Sequence, residues 1–394
     1  MSLVLKGLIW GQSMESRPEI SIVVPCLNED RTLGETLKLA REAIQLSGLS
    51  GEVVVSDNGS TDRSIAIAQE GGARVVNCAQ KGYGSALIEG IRGARGKYIV
   101  MGDADATYDF REAVPFVEAL KGGADLVMGS RLRGNIAKGA MPFLHRWLGT
   151  PVLTFLINLF FGTRISDCNC GMRAFTRKAF DRLNLVSGGM EFASEMIVKG
   201  ALYGLRIEER PCSLRRDTRG KPPHLKTWRD GWRHLRFIFL FAPNVVFALP
   251  GWFLLVAGLI VTALVLPHQF QMGAFRMDYH HCFYSVPMIH IGYQALWFHQ
   301  FEKYFIRFSG YFGDQTDTIP ARPFHLEAWL ITGGLMMAAG IGAFTMIFVQ
   351  WVNSSYGSLN QVRAGIAGMS LLILGMQTIM NAMSISMMTI KLKR

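Results

Sequence analysis

The chain has 394 residues, enough for two or three domains. Only 18% of them are charged and 49% are hydrophobic, which argues against a wholly soluble protein. The net charge of +11 asks for an anionic partner, nucleic acid or an anionic membrane face, and the position of the charges decides between the two.

The leading LVLKGLIW is too short to span a bilayer and no small-residue cleavage site follows it. Residues 1–18 therefore read as an N-terminal extension. From residue 19 strand and helix patterns alternate. ISIVVPCLNE (20–29) is a β-branched run closed by Pro25, the mark of a buried strand. RTLGETLKLAREAIQL carries Thr32 and Glu35 at capping-box spacing, then apolar residues at helical intervals. EVVVSDNGSTD reads as a second strand ending at Asp57, with Ser60 or Thr61 capping the next helix. ARVVNC is a third strand, SALIEGIRGA a helix, KYIVMGDAD a fourth strand and DLVMGSR a fifth. The alternation predicts an α/β domain over 19–214 with a parallel, doubly wound sheet. Ligands of such sheets bind beyond the carboxyl ends of the strands, where Asn28, Asp57 and Asp103 all fall.

Residues 215–236 are basic, and the character changes after Arg236. Residues 237–275 carry no charge, and uncharged stretches recur at 279–301, 328–362 and 364–390. An all-α membrane domain over 237–394 is expected, with about four spans near 244–266, 283–301, 328–351 and 365–390. The uncharged stretch 279–301 around the second is polar, with four histidines and two glutamines, so a re-entrant or interfacial helix is its alternative. Residues 206–236 hold ten Lys and Arg against four acids. Lys303, Arg307, Arg322, Lys391, Lys393 and Arg394 add to that side, whereas the intervening loops carry only Arg276 and Arg363. Four spans then leave both termini and the sheet domain in the cytoplasm of a multi-pass protein of the cell membrane. The basic excess suits anionic membrane lipid, not nucleic acid. Six cysteines show no C-x-x-C pair, so buried reduced thiols are expected. Cys168-Asn-Cys170 as a metal site is the alternative.

YIVMGDADATYDF (98–110) delivers Asp103, Asp105 and Asp109 within seven residues at a strand end. A D-x-D turn can place two carboxylates on one divalent cation, and Mg²⁺ commonly binds through one or two carboxylates plus substrate phosphates. A solvated turn is the plainer alternative. Company at the same sheet edge favours the cation: Asp57 could hold a base or ribose, Asn28 and Glu29 could contact a nucleotide, and Pro25 fixes the turn between them. No G-x-x-x-x-G-K-[ST] loop is present, and KGYGSALIEG lacks the third glycine of G-x-G-x-x-G, which argues against a Rossmann dehydrogenase. Lys81, with glycines at a helix start, could meet a phosphate or could belong to a flexible turn.

SIVVPCLNE, VVVSDNGSTD, GSALIEGIRGARGKYIVMGDAD and GSR followed by ISDCNCGMRAF resemble, in order over residues 20–236, the family-2 glycosyltransferases of GT-A fold. Within these the chain is most similar to the polyprenyl-phosphate glycosyltransferases, the dolichyl-phosphate mannose and glucose synthase group. The resemblance implies inverting transfer of a sugar from a nucleotide-diphosphate sugar to a polyprenyl phosphate. It implies that Asp57 reads the base, with Pro25 and Glu29 shaping that pocket, and that Asp103 and Asp105 hold Mg²⁺ or Mn²⁺ on the diphosphate. Mannose synthases often carry Gln two positions past the second Asp; this chain has Thr107, which leaves the third ligand unassigned. Arg131 would bind phosphate and Asp167 would sit near sugar or acceptor. A lipid phosphate, largely dianionic at neutral pH, could attack unaided. Glu195 or Glu191 would then orient groups, or Glu195 is an ordinary helix acid. In 215–236, Arg215, Arg219, Lys221, His224, Lys226 and Arg229, with Trp228 and Trp232, could clamp the acceptor phosphate, or serve only as a positive-inside anchor. A homo-oligomer is left open. The rivals are a processive polysaccharide synthase, against which the missing Q-x-x-R-W speaks, and a non-catalytic membrane scaffold, against which the intact D-A-D speaks.

Overall fold

The computed structural model describes residues 17–220, 227–308 and 324–389. The chain divides into two compact units, Met1–Ile238 and Phe239–Arg394.

In the first unit the chain runs β1 (Ile20–Cys26), α1 (Leu33–Ser47), β2 (Gly51–Asp57), α2 (Ser64–Glu70), β3 (Arg74–Asn77), α3 (Tyr83–Gly93) and β4 (Tyr98–Met101). It continues through α4 (Val114–Lys121), β5 (Leu126–Ser130), α5 (Thr150–Phe161), β6 (Arg173–Thr176), α6 (Arg177–Leu183), α7 (Phe192–Leu202), β7 (Ile207–Pro211) and α8 (Thr227–Leu240). Seven strands form one sheet in the order β3-β2-β1-β4-β6-β5-β7. β1 pairs in parallel with β2 and β4, and β5 with β7, while β6 runs antiparallel between β4 and β5. All seven residues of β1 are buried, as its uncharged β-branched run demands. The two strands that the sequence pattern missed are atypical. β6 is four residues long, and β7 (IEERP) alternates nothing, because Glu208, Glu209 and Arg210 are spent on ion pairs and on capping residue 166. The expected capping box at Thr32 is absent: its side chain makes no cap bond, and the hydroxyl turns instead to Glu29 Oε2, 3.4 Å away.

The second unit contains α9 (Leu249–Val265), a hairpin of β8 (Phe270–Met272) and β9 (Phe275–Met277), α10 (Cys282–Phe308), α11 (Leu326–Asn353) and α12 (Val362–Thr389). Among the described residues three helical stretches are long and apolar enough to cross a membrane: Asn244–Val265, Leu326–Asn353 and Val362–Met388. The expected second span coincides with α10, whose 27 residues reach about 40 Å. It is too polar to count with the other three. Three of its polar side chains are turned onto α12. Tyr293 Oη lies 2.7 Å from Thr378 Oγ1, Gln294 and Asn381 exchange two bonds of 3.0 Å, and His290 meets Gln377 at 3.3 Å and Ser370 at 3.1 Å. Paired in this way, such side chains no longer penalise an apolar surrounding.

Candidate active site

β4 ends at Met101 and hands the chain to Asp103 and Asp105. Asp103 Oδ1 accepts the Tyr83 hydroxyl at 2.9 Å. Its Oδ2 lies where a Cβ on residue 171 would stand 2.6 Å away, so Gly171 supplies the room for the carboxylate. Asp105 Oδ1 accepts from the Thr107 backbone N–H at 3.1 Å and from its hydroxyl at 2.6 Å. Between them Ala106 takes φ 57°, a left-handed conformation that residues with a Cβ rarely hold. Burial, and then the charge of Asp105, push the Asp103 carboxyl up to about 7. The third acid is separate. Asp109 caps the turn Phe110–Ala113 and pairs with Arg111 at 2.7 Å and with Arg215.

The carboxylate pair opens into a cavity of about 910 Å³. Pro25, Glu29, Asn58, Lys81, Arg131, Gly171 and Arg219 share its wall with Asp103 and Asp105. Lys81 Nζ donates to the Asn58 carbonyl at 2.9 Å. Asp57 lies just behind, its carboxylate accepting the backbone N–H groups of Gly59 and Ser60 at 3.0 and 3.1 Å. Asn28, at φ 58°, accepts the Thr61 N–H at 2.8 Å. Arg131 presents a fixed guanidinium. Its Nε and Nη2 grip Asp167 Oδ2 and Oδ1 at 2.7 and 2.8 Å.

Several expected site residues stand elsewhere. Asp167 is fully buried behind Arg131 and is absent from the cavity wall, so it touches the guanidinium and not the space a sugar would fill. Glu195 is also fully buried; it pairs with Lys199 at 2.7 Å and accepts the Ser187 N–H at 2.8 Å, which fastens the loop before α7. One oxygen of Glu191 is buried without a hydrogen bond, and neither glutamate lines the cavity. Arg215 is committed to Asp109 and Glu35, and Arg229 is half-exposed beside Asp230, so neither reaches the wall. Arg219 does reach it. Lys221, His224 and Lys226 lie outside the described residues.

Sequence reasoning passed over other contributors. Tyr83 orients Asp103, and burial raises its hydroxyl pKa well above the ordinary value. Arg173 is fully buried and donates to the carbonyls of Cys168, Cys170 and Ala193 at 2.9, 3.0 and 2.7 Å, which shapes the Gly171 loop. The cavity also has an apolar arm, made by Leu144, Leu148, Val152 and Leu153 and by Trp228, Trp232 and Leu235 of α8. The signal was there in PFLHRWLGTPVLTFLINLFF (142–161), apolar on every face and leaving Phe143, Trp147, Phe155 and Leu159 exposed. His234, also in the wall, has its Nδ1 2.7 Å from Ser194 Oγ, and burial, helped by Arg173, lowers its pKa to about 4. All six cysteines are buried and unbridged, and no described group of three or more His, Cys, Asp or Glu is arranged to hold a metal unaided.

The model of glycosyl transferase family 2 matches residues 21–183, and that of the family-2 C-terminal transmembrane region matches 313–389. The low-salt glycan biosynthesis hexosyltransferase Agl6 of Haloferax volcanii is 34% identical over 374 residues, which covers 94% of this chain and 89% of that protein. The chain belongs to glycosyltransferase family 2. The dolichyl-phosphate hexose transferase of the same organism is 29% identical over half of this chain and 83% of its own length. Among solved structures, glucosyl-3-phosphoglycerate synthase from Mycobacterium tuberculosis, in complex with Mn²⁺, uridine diphosphate and glucosyl-3-phosphoglycerate, gives a TM-score of 0.45 at 20% identity. The match covers 57% of this chain and 78% of that one. This family-2 transferase carries a GT-A-like, mostly parallel sheet domain followed by helices of transmembrane character, so it is a membrane protein.

Proposed function

We propose that this transferase moves a hexose, with inversion, from a nucleotide-diphosphate sugar to a polyprenyl phosphate such as undecaprenyl or dolichyl phosphate. The observation that carries the reading is the carboxylate pair Asp103 and Asp105, crowded at a strand end and opening into a cavity that also presents Lys81 and Arg131. The pair fits Mg²⁺ or Mn²⁺: two carboxylates on one turn can share the ion with substrate phosphates, and the Asp103 carboxyl is raised by burial and then by the charge of Asp105, a repulsion that a bound cation would relieve. When bound, the ion would stabilise negative charge on the departing nucleoside diphosphate.

The chain's own groups do the rest. Thr107 and Tyr83 orient the two carboxylates. Arg131, aimed by Asp167, supplies a fixed cation for phosphate, and Lys81 a second. Pro25 and Glu29 line the edge where base and ribose would lie, while Asn28 and Asp57, outside the wall, brace the loop after β2 through the Thr61, Gly59 and Ser60 N–H groups. A phosphate oxygen of the acceptor attacks the anomeric carbon opposite the leaving group; the carbon–oxygen bond to the diphosphate breaks and takes the electron pair with it. The attacking group is already anionic, so no general base is needed, in keeping with Glu195 being tied to Lys199. Arg219, with the basic stretch that follows it, is the acceptor side, and the apolar arm suits the first isoprene units. Charge asymmetry of the loops favours a cytoplasmic sheet unit. The relatives named above support the class, since one is a hexosyltransferase and another a dolichyl-phosphate hexose transferase.

The test is to incubate the purified full-length protein with several nucleotide sugars and undecaprenyl or dolichyl phosphate and to identify products by mass. One glycosyl lipid phosphate is expected. Polymer from a single sugar would favour the processive synthase, and no turnover with any pair would favour the scaffold.

A further inference from the structure

Arg219 stands apart from the other basic residues of its segment. Only 10% of its side chain is exposed, and its guanidinium is shared among three acids. Nη1 meets Glu29 Oε1 at 2.8 Å, Nη2 meets Asp217 Oδ2 at 2.8 Å, and Nη2 lies 3.6 Å from Asp105 Oδ2. The same residue is tied down through its backbone, whose carbonyl accepts from Arg31 at 3.1 Å and whose N–H donates to Asp217 at 2.9 Å. The side chain therefore crosses from the basic segment to the turn after β1 and to the second acid of D-A-D. It lays its positive charge against the carboxylate oxygen that Thr107 leaves open, since Thr107 holds Oδ1.

We propose that Arg219 is an internal counter-cation for the carboxylate pair, which competes with the divalent ion for Asp105 and leaves when the metal and nucleotide arrive. The inference rests on the metal reading of Asp103 and Asp105 given above. The physical ground is simple. A guanidinium in ion-pair range of Asp105 and a divalent ion on the same carboxylate repel strongly at the low effective dielectric of a buried site. Glu29 and Asp217 offer Arg219 a place to remain without Asp105, so a small swing suffices. Relieved of Asp105, Arg219 stays in the cavity wall on Glu29 and Asp217, on the side assigned above to the acceptor. In this arrangement the bare site is self-neutralised, and the metal binds weakly until nucleotide phosphates add their charge.

The experiment titrates Mn²⁺ into the full-length protein in detergent, without nucleotide, and follows free Mn²⁺ by electron paramagnetic resonance. R219Q is expected to bind Mn²⁺ about tenfold more tightly than wild type, and R219K, which keeps the charge, to bind as weakly as wild type. With uridine or guanosine diphosphate present, the gap between R219Q and wild type should narrow. Equal or weaker Mn²⁺ binding by R219Q, in protein that melts as wild type does, overturns the proposal; if R219Q does not fold, tighter binding by R219K than by wild type overturns it. Should no form bind Mn²⁺ even with the nucleotide, the metal reading itself fails, an outcome distinct from loss of the competition.

Discussion

Two polar regions of this protein solve the same problem in opposite ways. Between α10 and α12, Tyr293, Gln294 and His290 each find a partner on the facing helix, and the bonds close on themselves. At the end of β4, Asp103 and Asp105 face one another's charge and a cavity, with a 3.6 Å approach from Arg219 as partial relief. Buried polar groups that satisfy each other make structure. A crowded like-charged pair beside open space is held in readiness for a ligand. The same division runs inside the sheet unit, where Glu195 with Lys199 and Asp109 with Arg111 belong to the first kind.

Breaking each kind should have a different signature. The largest effect is expected for Asp105→Asn, which should lower the transfer rate by about two to three orders of magnitude, the usual loss when one electrostatic stabiliser of the reacting charge is removed, while melting little changed. Glu195→Gln should do the reverse. It removes the carboxylate from buried Lys199, which keeps the Asn184 carbonyl at 2.8 Å, so stability should fall by about 3 kcal/mol, while transfer per folded molecule stays within a few-fold, read from melting curves and rates on the same preparation. Comparable loss of turnover in both variants would erase the distinction.

His234 adds a pH signature. Its folded pKa near 4 lies below the value of about 6.5 it has in an unfolded chain. Its contribution is therefore complete above pH 6.5 and shrinks as the pH falls, because the unfolded chain takes up a proton that the folded one refuses. About 2 kcal/mol should be lost by pH 5, and His234→Gln should flatten that limb of the melting temperature against pH. Smallest of all, Tyr293→Phe should cost about 0.6 kcal/mol, the typical worth of one hydrogen bond between membrane helices, with transfer unaffected.

The regions also differ in how legible they were in the sequence. Strand ends carrying Asp57 and Asp103 announced themselves because uncharged β-branched runs break abruptly at an acid, and the apolar helices were visible from length and charge alone. Asp167, Glu195 and Arg215 were misplaced because a charge in a motif says nothing about whether its partner is a ligand or a neighbouring side chain; Arg131, Lys199 and Asp109 respectively absorb them. β6 and β7 were too short or too charged to leave a period. The apolar arm went unread because residues 142–161 lack the one-sided pattern of an ordinary surface helix, exposing Phe143, Trp147 and Phe155.

The central claim, that Asp103 and Asp105 exist to seat a divalent ion against a diphosphate, is tested most directly by calorimetric binding of uridine and guanosine diphosphates to wild type and Asp105→Asn, with Mg²⁺ and with chelator. Binding by wild type that depends on Mg²⁺ and largely disappears in Asp105→Asn is the predicted result. Equal affinity with and without the ion, unchanged by the substitution, would contradict it.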